Sequence, residues 1–320
     1  MTKYYYHAGM MPEQLSPCHE RNVFDRTRST FDLVDIEVLT PIGNLCEPKS
    51  IAHICHDRVQ YILDQARQKK IVIAWSGGID STLVLAEFLK IAPVSQLTVM
   101  LNDLSIKEYP IFYKTYIENK IETVPMNYYN DNLIADLINN QDSIIVTGQS
   151  LDQTFGDEDC AAYPEDILKE SVEKFLTRLN PYTRECYTRS MAVCPRKLEN
   201  VKELFWWLCY TNCYQNGEFN WMMDVEELVL EKNIFHFASN QDWNDYSVST
   251  PMEIKYPGYD YRNFKLELKR QLHQFTQDQD YTDNKIKVAS WRRYRSNQQQ
   301  ARKPLYITTD WKRGYVDKIS

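Results

Sequence analysis

A short polar segment, SGGIDST at residues 76–82, interrupts an otherwise apolar stretch of the chain. Adjacent glycines such as Gly77 and Gly78 let a backbone pass close to a phosphate group with its N–H groups directed inward. The carboxylate of Asp80 would repel phosphates unless a divalent cation lay between them, and Mg²⁺ is commonly bound by a carboxylate together with substrate phosphates. The segment therefore predicts a nucleotide site that uses magnesium.

The hydroxyl residues of the same segment have two roles open to them. Ser76 and Ser81 can donate hydrogen bonds to phosphate oxygens, and Ser81 or Thr82 can cap the helix that follows. The segment has neither the GxxxxGK[ST] pattern of the Walker loop nor the GxGxxG spacing of dinucleotide-binding turns. We therefore expect a phosphate-binding corner of another type.

A second polar corner follows a later apolar run, in SIIVTGQSLDQTFGD at residues 143–157. It contains Gly148 and, four residues on, Asp152. If both corners end neighbouring strands, Asp80 and Asp152 can hold one metal ion over a triphosphate, because carboxylate oxygens are the ligands that magnesium prefers. Gly148 is then expected beside the nucleotide.

The two segments carry a family resemblance. SGGIDS resembles the pyrophosphate loop of the ATP-pyrophosphatase superfamily, whose members cut ATP between its α and β phosphates and form an adenylated intermediate. The second segment resembles TGEGxDExFGG in the synthetase domain of asparagine synthetases and β-lactam synthetases. The matching residues are Thr147, Gly148, Asp152, Phe155 and Gly156. The resemblance implies ATP and Mg²⁺ as cofactors, with Asp152 as the second magnesium-coordinating carboxylate.

The chain departs from that family pattern at positions that bear on its substrate. Gln149 and Gln153 stand where the pattern has glutamates, and Thr2 stands where glutamine-dependent asparagine synthetases have a cysteine nucleophile. We therefore expect an adenylated small-molecule carboxylate or amide, with aspartate not specifically implied. We expect the nitrogen donor to be ammonia, another amine or a partner protein, because no glutaminase segment is recognisable.

A basic segment, DYTDNKIKVASWR at residues 280–292, resembles the end of the same synthetase domain, where a lysine reaches the reacting centre. The resemblance implies that Lys287 or Lys285 stabilises the negative charge that builds up during adenylation. Alternation along an extended segment would place both lysines on one side. Solvent-exposed lysines are the alternative interpretation.

The adenine base is expected near the end of the second apolar run. In pyrophosphate-loop enzymes the base lies over the ends of the first two strands, which corresponds here to Met100, Leu101 and Asn102. Core packing is the alternative for Met100. Asp103, Ser105 and Glu108 are further candidates for the wall of this pocket.

The elements around these corners predict an α/β fold. Four apolar runs typical of buried parallel strands alternate with segments of helical period. These runs are IVIAW, QLTVML, IETVPM and SIIVTG, at residues 71–75, 96–101, 121–126 and 143–148. Beyond residue 157 the periodicity is mainly helical. We therefore expect a parallel sheet with helices on both faces, of the adenine nucleotide alpha hydrolase-like type that the resemblance implies.

Three regions follow from this pattern. Residues 1–55 form an extension or cap, with a strand predicted in FDLVDIEVLT at residues 31–40. Residues 56–160 form the nucleotide-binding α/β domain, and residues 161–320 form a mainly helical region for substrate binding or closure.

Composition bounds the setting of the protein. The chain has 320 residues, is 43% hydrophobic and carries a net charge of −7, so it is not typical of proteins that bind nucleic-acid backbones. It shows no export signal and no apolar segment of about 18 residues, so we expect a soluble cytoplasmic protein without membrane contact. Its eight cysteines are then expected to be thiols.

Two other functions stay open at this stage. The basic stretch KIKVASWRRYRSNQQQARK at residues 285–303 and the cysteines Cys186, Cys194, Cys209 and Cys213 fit a pyrophosphate-loop enzyme that modifies tRNA or a nucleobase by thiolation, lysidine formation or 7-cyano-7-deazaguanine synthesis. A bound zinc ion at these cysteines would favour that function. The other possibility is an inactive regulator that binds ATP without cleaving it.

Overall fold

A computed structural model gives the fold of the chain. It describes residues 4–6, 25–27, 29, 40–126, 142–156, 164–179, 181–214, 233–259, 263–285, 305–308 and 313–315. The strands are β1 (Tyr4–Tyr6), β2 (Lys70–Ala74), β3 (Leu97–Leu101), β4 (Glu122–Pro125), β5 (Ser143–Thr147), β6 (Ile234–His236), β7 (Leu305–Thr308) and β8 (Arg313–Tyr315).

The helices alternate with the strands along the chain and predominate after β5. They are α1 (Ile51–Ala66), α2 (Ile79–Ile91), α3 (Asp103–Glu108), α4 (Pro110–Phe112), α5 (Leu151–Phe155), α6 (Glu165–Leu168), α7 (Val172–Leu176), α8 (Pro181–Ala192), α9 (Val201–Asn212), α10 (Gln241–Ser249), α11 (Met252–Lys255), α12 (Leu266–Thr276) and α13 (Gln279–Asn284). A π-helical turn at Tyr113–Ile117 continues α4.

The central sheet has five parallel strands in the order β4-β3-β2-β5-β6. The four predicted strands are confirmed, and so is the α/β class of the fold. The fifth strand, β6, was not predicted, because it has only three residues and lies in a region of mainly helical period. β2 pairs with β3 on one side and with β5 on the other.

This strand order creates a switch point between β2 and β5. The chain proceeds from β2 to β3 and β4 in one direction, and β5 and β6 lie on the opposite side of β2. In open parallel sheets, ligands bind in the crevice outside the carboxyl ends of the strands at such a point. The two polar corners of the sequence follow β2 and β5, so both lie at this crevice.

The two faces of the sheet are buried in different clusters. Ile71 and Ile73 of β2 face a large core that also contains side chains of α1, α2, α9 and α12. Val72 and Met100 belong to a smaller cluster on the opposite face. NDNLIADLINN at residues 130–140, a segment of helical period between the third and fourth predicted strands, lies outside the described residues.

The strand predicted at residues 31–40 lies outside the described residues except for its last residue. Earlier in the same N-terminal region, Arg26 is buried and donates to the Tyr210 carbonyl oxygen of α9 at 2.7 Å. Strands β1, β7 and β8 form a small antiparallel sheet that was not predicted.

ILKESVEKFLTRL at residues 167–179, a segment of helical period, is divided into α6 and α7. Ser171 interrupts it by accepting a hydrogen bond from the Lys174 amide as the N-cap of α7, while its backbone bridges to Asn200. Two helical segments replace one, because the cap residue has an extended backbone.

Candidate functional site

The first polar corner is a tight turn between β2 and α2. Gly77 has a φ angle of +75°, and a Cβ atom placed on it would lie 2.4 Å from the carbonyl oxygen of Ser105. A side chain at this position would therefore be strained and would also clash with backbone. The sequence requires glycine here because the turn passes directly against α3.

The interior of the turn is lined by hydroxyl and amide groups. The Ser76 amide donates to the Ser81 hydroxyl oxygen at 3.0 Å, and the two serine hydroxyls are 3.0 Å apart. The Gly78 amide makes a longer contact of 3.3 Å with the Ser76 hydroxyl oxygen. These groups occupy the positions that the sequence assigned to phosphate binding.

The capping prediction for α2 was wrong. Gly78 is the N-cap residue and has no side chain to contribute, while Ser81 and Thr82 lie inside the first turn of the helix. Thr82 is fully buried, and its hydroxyl oxygen accepts a hydrogen bond from the Trp75 indole N–H at 3.0 Å. The helix therefore begins with uncapped amides at the turn, and Thr82 supports that turn from behind.

The second polar corner packs directly against the first. A Cβ atom placed on Gly148 would lie 2.9 Å from the Ser81 nitrogen and 3.0 Å from the Asp80 carbonyl carbon. Only glycine allows this approach, which follows from the pairing of β2 with β5. Ser150 then turns the chain into α5 with a φ angle of +69°, so that Asp152 stands in the first turn of that helix.

Asp80 and Asp152 converge on one positive charge. The Lys265 ammonium lies 2.7 and 2.6 Å from the two carboxylate oxygens of Asp80 and also forms an ion pair with Asp152. The lysine side chain is 5% exposed, compared with 22% for Asp80 and 34% for Asp152. The two carboxylates that the sequence predicted to share a cation are thus brought together around one.

Sequence reasoning missed Lys265. Lys265 is the N-cap residue of α12 and has a left-handed backbone conformation, with φ and ψ angles of 56° and 33°. The helical period of FKLELKRQLHQF places it inside a helix, so no local pattern distinguishes it. A lysine just outside a strongly amphipathic helix was the only available signal.

Of the two lysines predicted to reach the reacting centre, Lys285 and Lys287, the structure describes only Lys285. Lys285 forms an ion pair of 2.9 Å with Glu108, and the two side chains are only 9% and 5% exposed. Its ammonium is therefore engaged by a carboxylate of α3 and not by either aspartate. Lys287 lies outside the described residues.

The donor set fits a hard divalent cation. Two carboxylates already share one ammonium at hydrogen-bonding distance, so a cation is accommodated between them with its charge balanced. Magnesium is usually held by one or two carboxylates, with substrate phosphates and water completing its shell. Asp80 and Asp152 are the residues that could hold it, next to the amides of the glycine turn.

The region predicted to hold adenine divides into two parts. Met100 is fully buried in the smaller core cluster, so the structure assigns it to packing. Leu101 and Asn102 line an open cavity of about 590 Å³ at the carboxyl ends of β3 and β4. Asn102 also caps α3 through a hydrogen bond from the Ser105 amide at 3.0 Å.

Gln149 and Gln153, which stand where the resembled sequence pattern has glutamates, differ in burial. Gln153 is buried within α5, whereas Gln149 is half-buried. The backbone N–H of Gln149 donates to the Thr147 hydroxyl oxygen at 3.3 Å. The same Thr147 hydroxyl lies 2.8 Å from Nδ1 of His236. Burial, helped by the Arg58 guanidinium, lowers the pKa of His236 to about 3, so this imidazole is neutral and supports the corner structurally.

The cysteines considered for zinc lie in the helical region. Cys186, Cys209 and Cys213 are buried, and Cys194 is half-buried with its pKa raised to about 11 by that burial. Within the part of the chain that the structure describes, no three His, Cys, Asp or Glu side chains are grouped as metal ligands would be.

Comparison with known proteins adds no family assignment. No protein-family model matches the chain, and no curated protein matches it. Among the described residues, none of the helices combines the length and the apolar character that crossing a membrane requires.

Proposed function

We propose that this protein is an ATP-dependent, AMP-forming ligase with an adenine nucleotide alpha hydrolase-like domain. It would activate a carboxylate or carbonyl oxygen as an adenylate and transfer the activated group to a nitrogen nucleophile. One observation carries the proposal: Asp80 and Asp152, from corners that end two adjacent parallel strands, converge on a single cation beside a glycine turn.

The turn is suited to the pyrophosphate half of ATP. The first amides of α2 are free of side-chain caps, and the Ser76 and Ser81 hydroxyls lie within the turn. A helix N-terminus carries partial positive charge, so anionic oxygens are favoured there. Gly77 and Gly78 provide the close backbone approach that phosphate needs.

Magnesium bound by Asp80 and Asp152 would neutralise charge on the phosphate oxygens. Lys265 stands at the same point, and its ammonium would turn from the aspartates to the phosphates once those aspartates hold the metal. Positive charge held where negative charge develops lowers the barrier to adenylyl transfer. We therefore assign charge stabilisation to Lys265, because it lies between the two carboxylates that would hold the metal, whereas Lys285 is paired with Glu108 of α3.

The substrate class comes from the family resemblance, and the neutral glutamines of the second corner leave aspartate without specific support. A small-molecule carboxylate or amide is proposed as acceptor of the adenylyl group, with ammonia, another amine or a partner protein as nitrogen source. Lys287 stays a second candidate for contact with the reacting centre. A cytoplasmic location, where ATP and magnesium are abundant, suits this activity.

The activity can be tested directly. The protein is incubated with ATP, Mg²⁺ and pools of carboxylates and amines, and the nucleotide products are separated. The proposal predicts AMP and pyrophosphate, and it predicts that Asp152→Asn reduces their formation by about 100-fold or more, as the loss of a metal ligand at the reacting phosphates should. ADP and phosphate as products, or equal turnover by the variant, would contradict it.

A further inference from the structure

Tyr281, in α13, contacts the glycine turn through its hydroxyl group. Its hydroxyl donates to the Gly77 carbonyl oxygen at 3.0 Å, and the residue is only 8% exposed. Burial, with the neighbouring Tyr109 adding to it, raises the pKa of the Tyr281 hydroxyl well above its usual value, so the group is a permanent donor at neutral pH.

This contact sets the orientation of one peptide unit in the turn. In a trans peptide the carbonyl and the following N–H point in opposite directions. Because Tyr281 holds the Gly77 carbonyl on its own side of the turn, the Gly78 N–H points away from Tyr281 and toward the Ser76 hydroxyl. A peptide between two glycines rotates readily without an external restraint, so the Tyr281 hydrogen bond is what would fix the orientation of the Gly77–Gly78 peptide.

Tyr281 is itself held in place by α3 and its neighbours. Its ring stacks on Tyr109 with a centroid separation of 3.5 Å and an interplanar angle of 5°. Asp278 joins the two residues, because one carboxylate oxygen accepts from the Tyr281 amide at 2.9 Å and the other from the Tyr109 hydroxyl at 3.1 Å. The buried Lys285–Glu108 ion pair ties the end of α13 to α3 as well.

We propose that Tyr281 is a positioning residue that fixes the Gly77–Gly78 peptide in the orientation in which the turn accepts phosphate. The inference rests on the proposed nucleotide function and adds a residue outside both polar corners. Through Tyr109 it also connects the turn to α3, which follows the strand that ends at the Leu101 and Asn102 cavity. The phosphate end and the nucleoside end of the site are thus supported by one stacked pair.

The test uses Tyr281→Phe, which removes the hydroxyl and keeps the stacked ring. The matched control is Tyr116→Phe, which removes a hydroxyl that donates to the Phe275 carbonyl oxygen at 3.4 Å, away from the turn. Calorimetric titrations with ATP, inorganic pyrophosphate and AMP, all with Mg²⁺, compare the affinities. Amide hydrogen exchange of the Gly77 and Gly78 segment is measured without ligand.

We expect Tyr281→Phe to weaken ATP and pyrophosphate binding by about the same factor, roughly five-fold to ten-fold, since one buried hydrogen bond is lost. AMP binding should change less, and exchange in the turn should become faster. Tyr116→Phe should change neither property. Pyrophosphate affinity equal to that of the wild type would overturn the role of Tyr281 in phosphate binding, and unaltered exchange would overturn its hold on the peptide.

The same data separate this inference from the proposed function. If the wild-type protein binds neither ATP nor pyrophosphate while Tyr281→Phe still accelerates exchange in the turn, the nucleotide function fails and Tyr281 retains only its hold on the peptide. If the wild type binds both ligands and Tyr281→Phe binds them equally well, the nucleotide function stands and the positioning role fails.

Discussion

Replacing Lys265 with methionine should convert a lysine-filled cation site into one that depends on magnesium. Methionine keeps much of the length and apolar volume of the side chain but removes the ammonium that Asp80 and Asp152 share. The two carboxylates then face each other without a counterion. Added Mg²⁺ should replace the missing charge, because both carboxylates are partly exposed and a hydrated ion can reach them.

The size of the effect follows from the burial of the partners. Removing one member of a fully buried ion pair costs about 3–5 kcal/mol. Asp80 and Asp152 are 22% and 34% exposed, so water recovers part of that loss. We expect Lys265→Met to lower the free energy of unfolding by about 2–3 kcal/mol in a magnesium-free buffer.

Urea unfolding measures this change with and without MgCl₂ at constant ionic strength. A ligand that binds only the folded state contributes about 2.7 kcal/mol when its free concentration is about 100 times Kd, so saturating Mg²⁺ should restore most of the lost stability. The wild-type protein should gain less than half as much, since magnesium must first displace the Lys265 ammonium.

Lys285→Met is the matched control. It also removes a buried lysine, but it leaves a single carboxylate, Glu108, that is 5% exposed. We expect a loss of about 3–5 kcal/mol that Mg²⁺ does not reverse. If magnesium stabilised Lys265→Met no more than Lys285→Met, Asp80 and Asp152 would not form a cation site, and the reasoning would be refuted.

Three further outcomes concern the two corners. Gly77→Ala should lower the free energy of unfolding by about 1–3 kcal/mol in urea, because the φ angle at this position is positive. Gly78 has a φ angle of −72°, so Gly78→Ala should unfold like the wild type. The same variant should lose ATP affinity in a calorimetric titration. Asp152→Asn should bind Mn²⁺ in the presence of ATP at least ten-fold more weakly than the wild type, measured by electron paramagnetic resonance; equal binding would remove Asp152 from the metal site. Burial and the Arg58 guanidinium lower the pKa of His236 to about 3, so as the pH falls the unfolded state binds a proton before the folded state does. The free energy of unfolding should therefore fall by up to about 1.4 kcal/mol per pH unit as the pH is lowered from about 6 to about 4. A His236→Asn variant with the same pH slope would show that other groups cause the loss.

The sheet could be predicted from sequence because its strands have strong local patterns. Four apolar runs separated by helical segments specify parallel strands, and glycines after the first and the last of them mark two of the turns. The three-residue strand β6 has no such pattern, since its place beside β5 is decided by long-range pairing. Local periodicity carries no information about that pairing.

The candidate site divides in the same way. Gly77, Gly148 and the two aspartates could be chosen from residue type and spacing, and the structure brings them together. Lys265 and Tyr281 could not, because each acts across the fold on a partner more than 180 residues earlier in the chain. Lys285 was chosen for its charge and its position, yet a buried glutamate on α3 binds it. Contacts between distant segments decided these three roles.

A crystal structure of the protein with Mg²⁺ and α,β-methylene-ATP, which resists cleavage between the α and β phosphates, would show whether the two corners hold a magnesium nucleotide. We expect the metal ion between Asp80 and Asp152, the terminal phosphates against the Gly77–Gly78 turn, and the Lys265 ammonium moved from the aspartates to the phosphates. A nucleotide bound elsewhere, with Lys265 still bridging both carboxylates, would contradict this expectation.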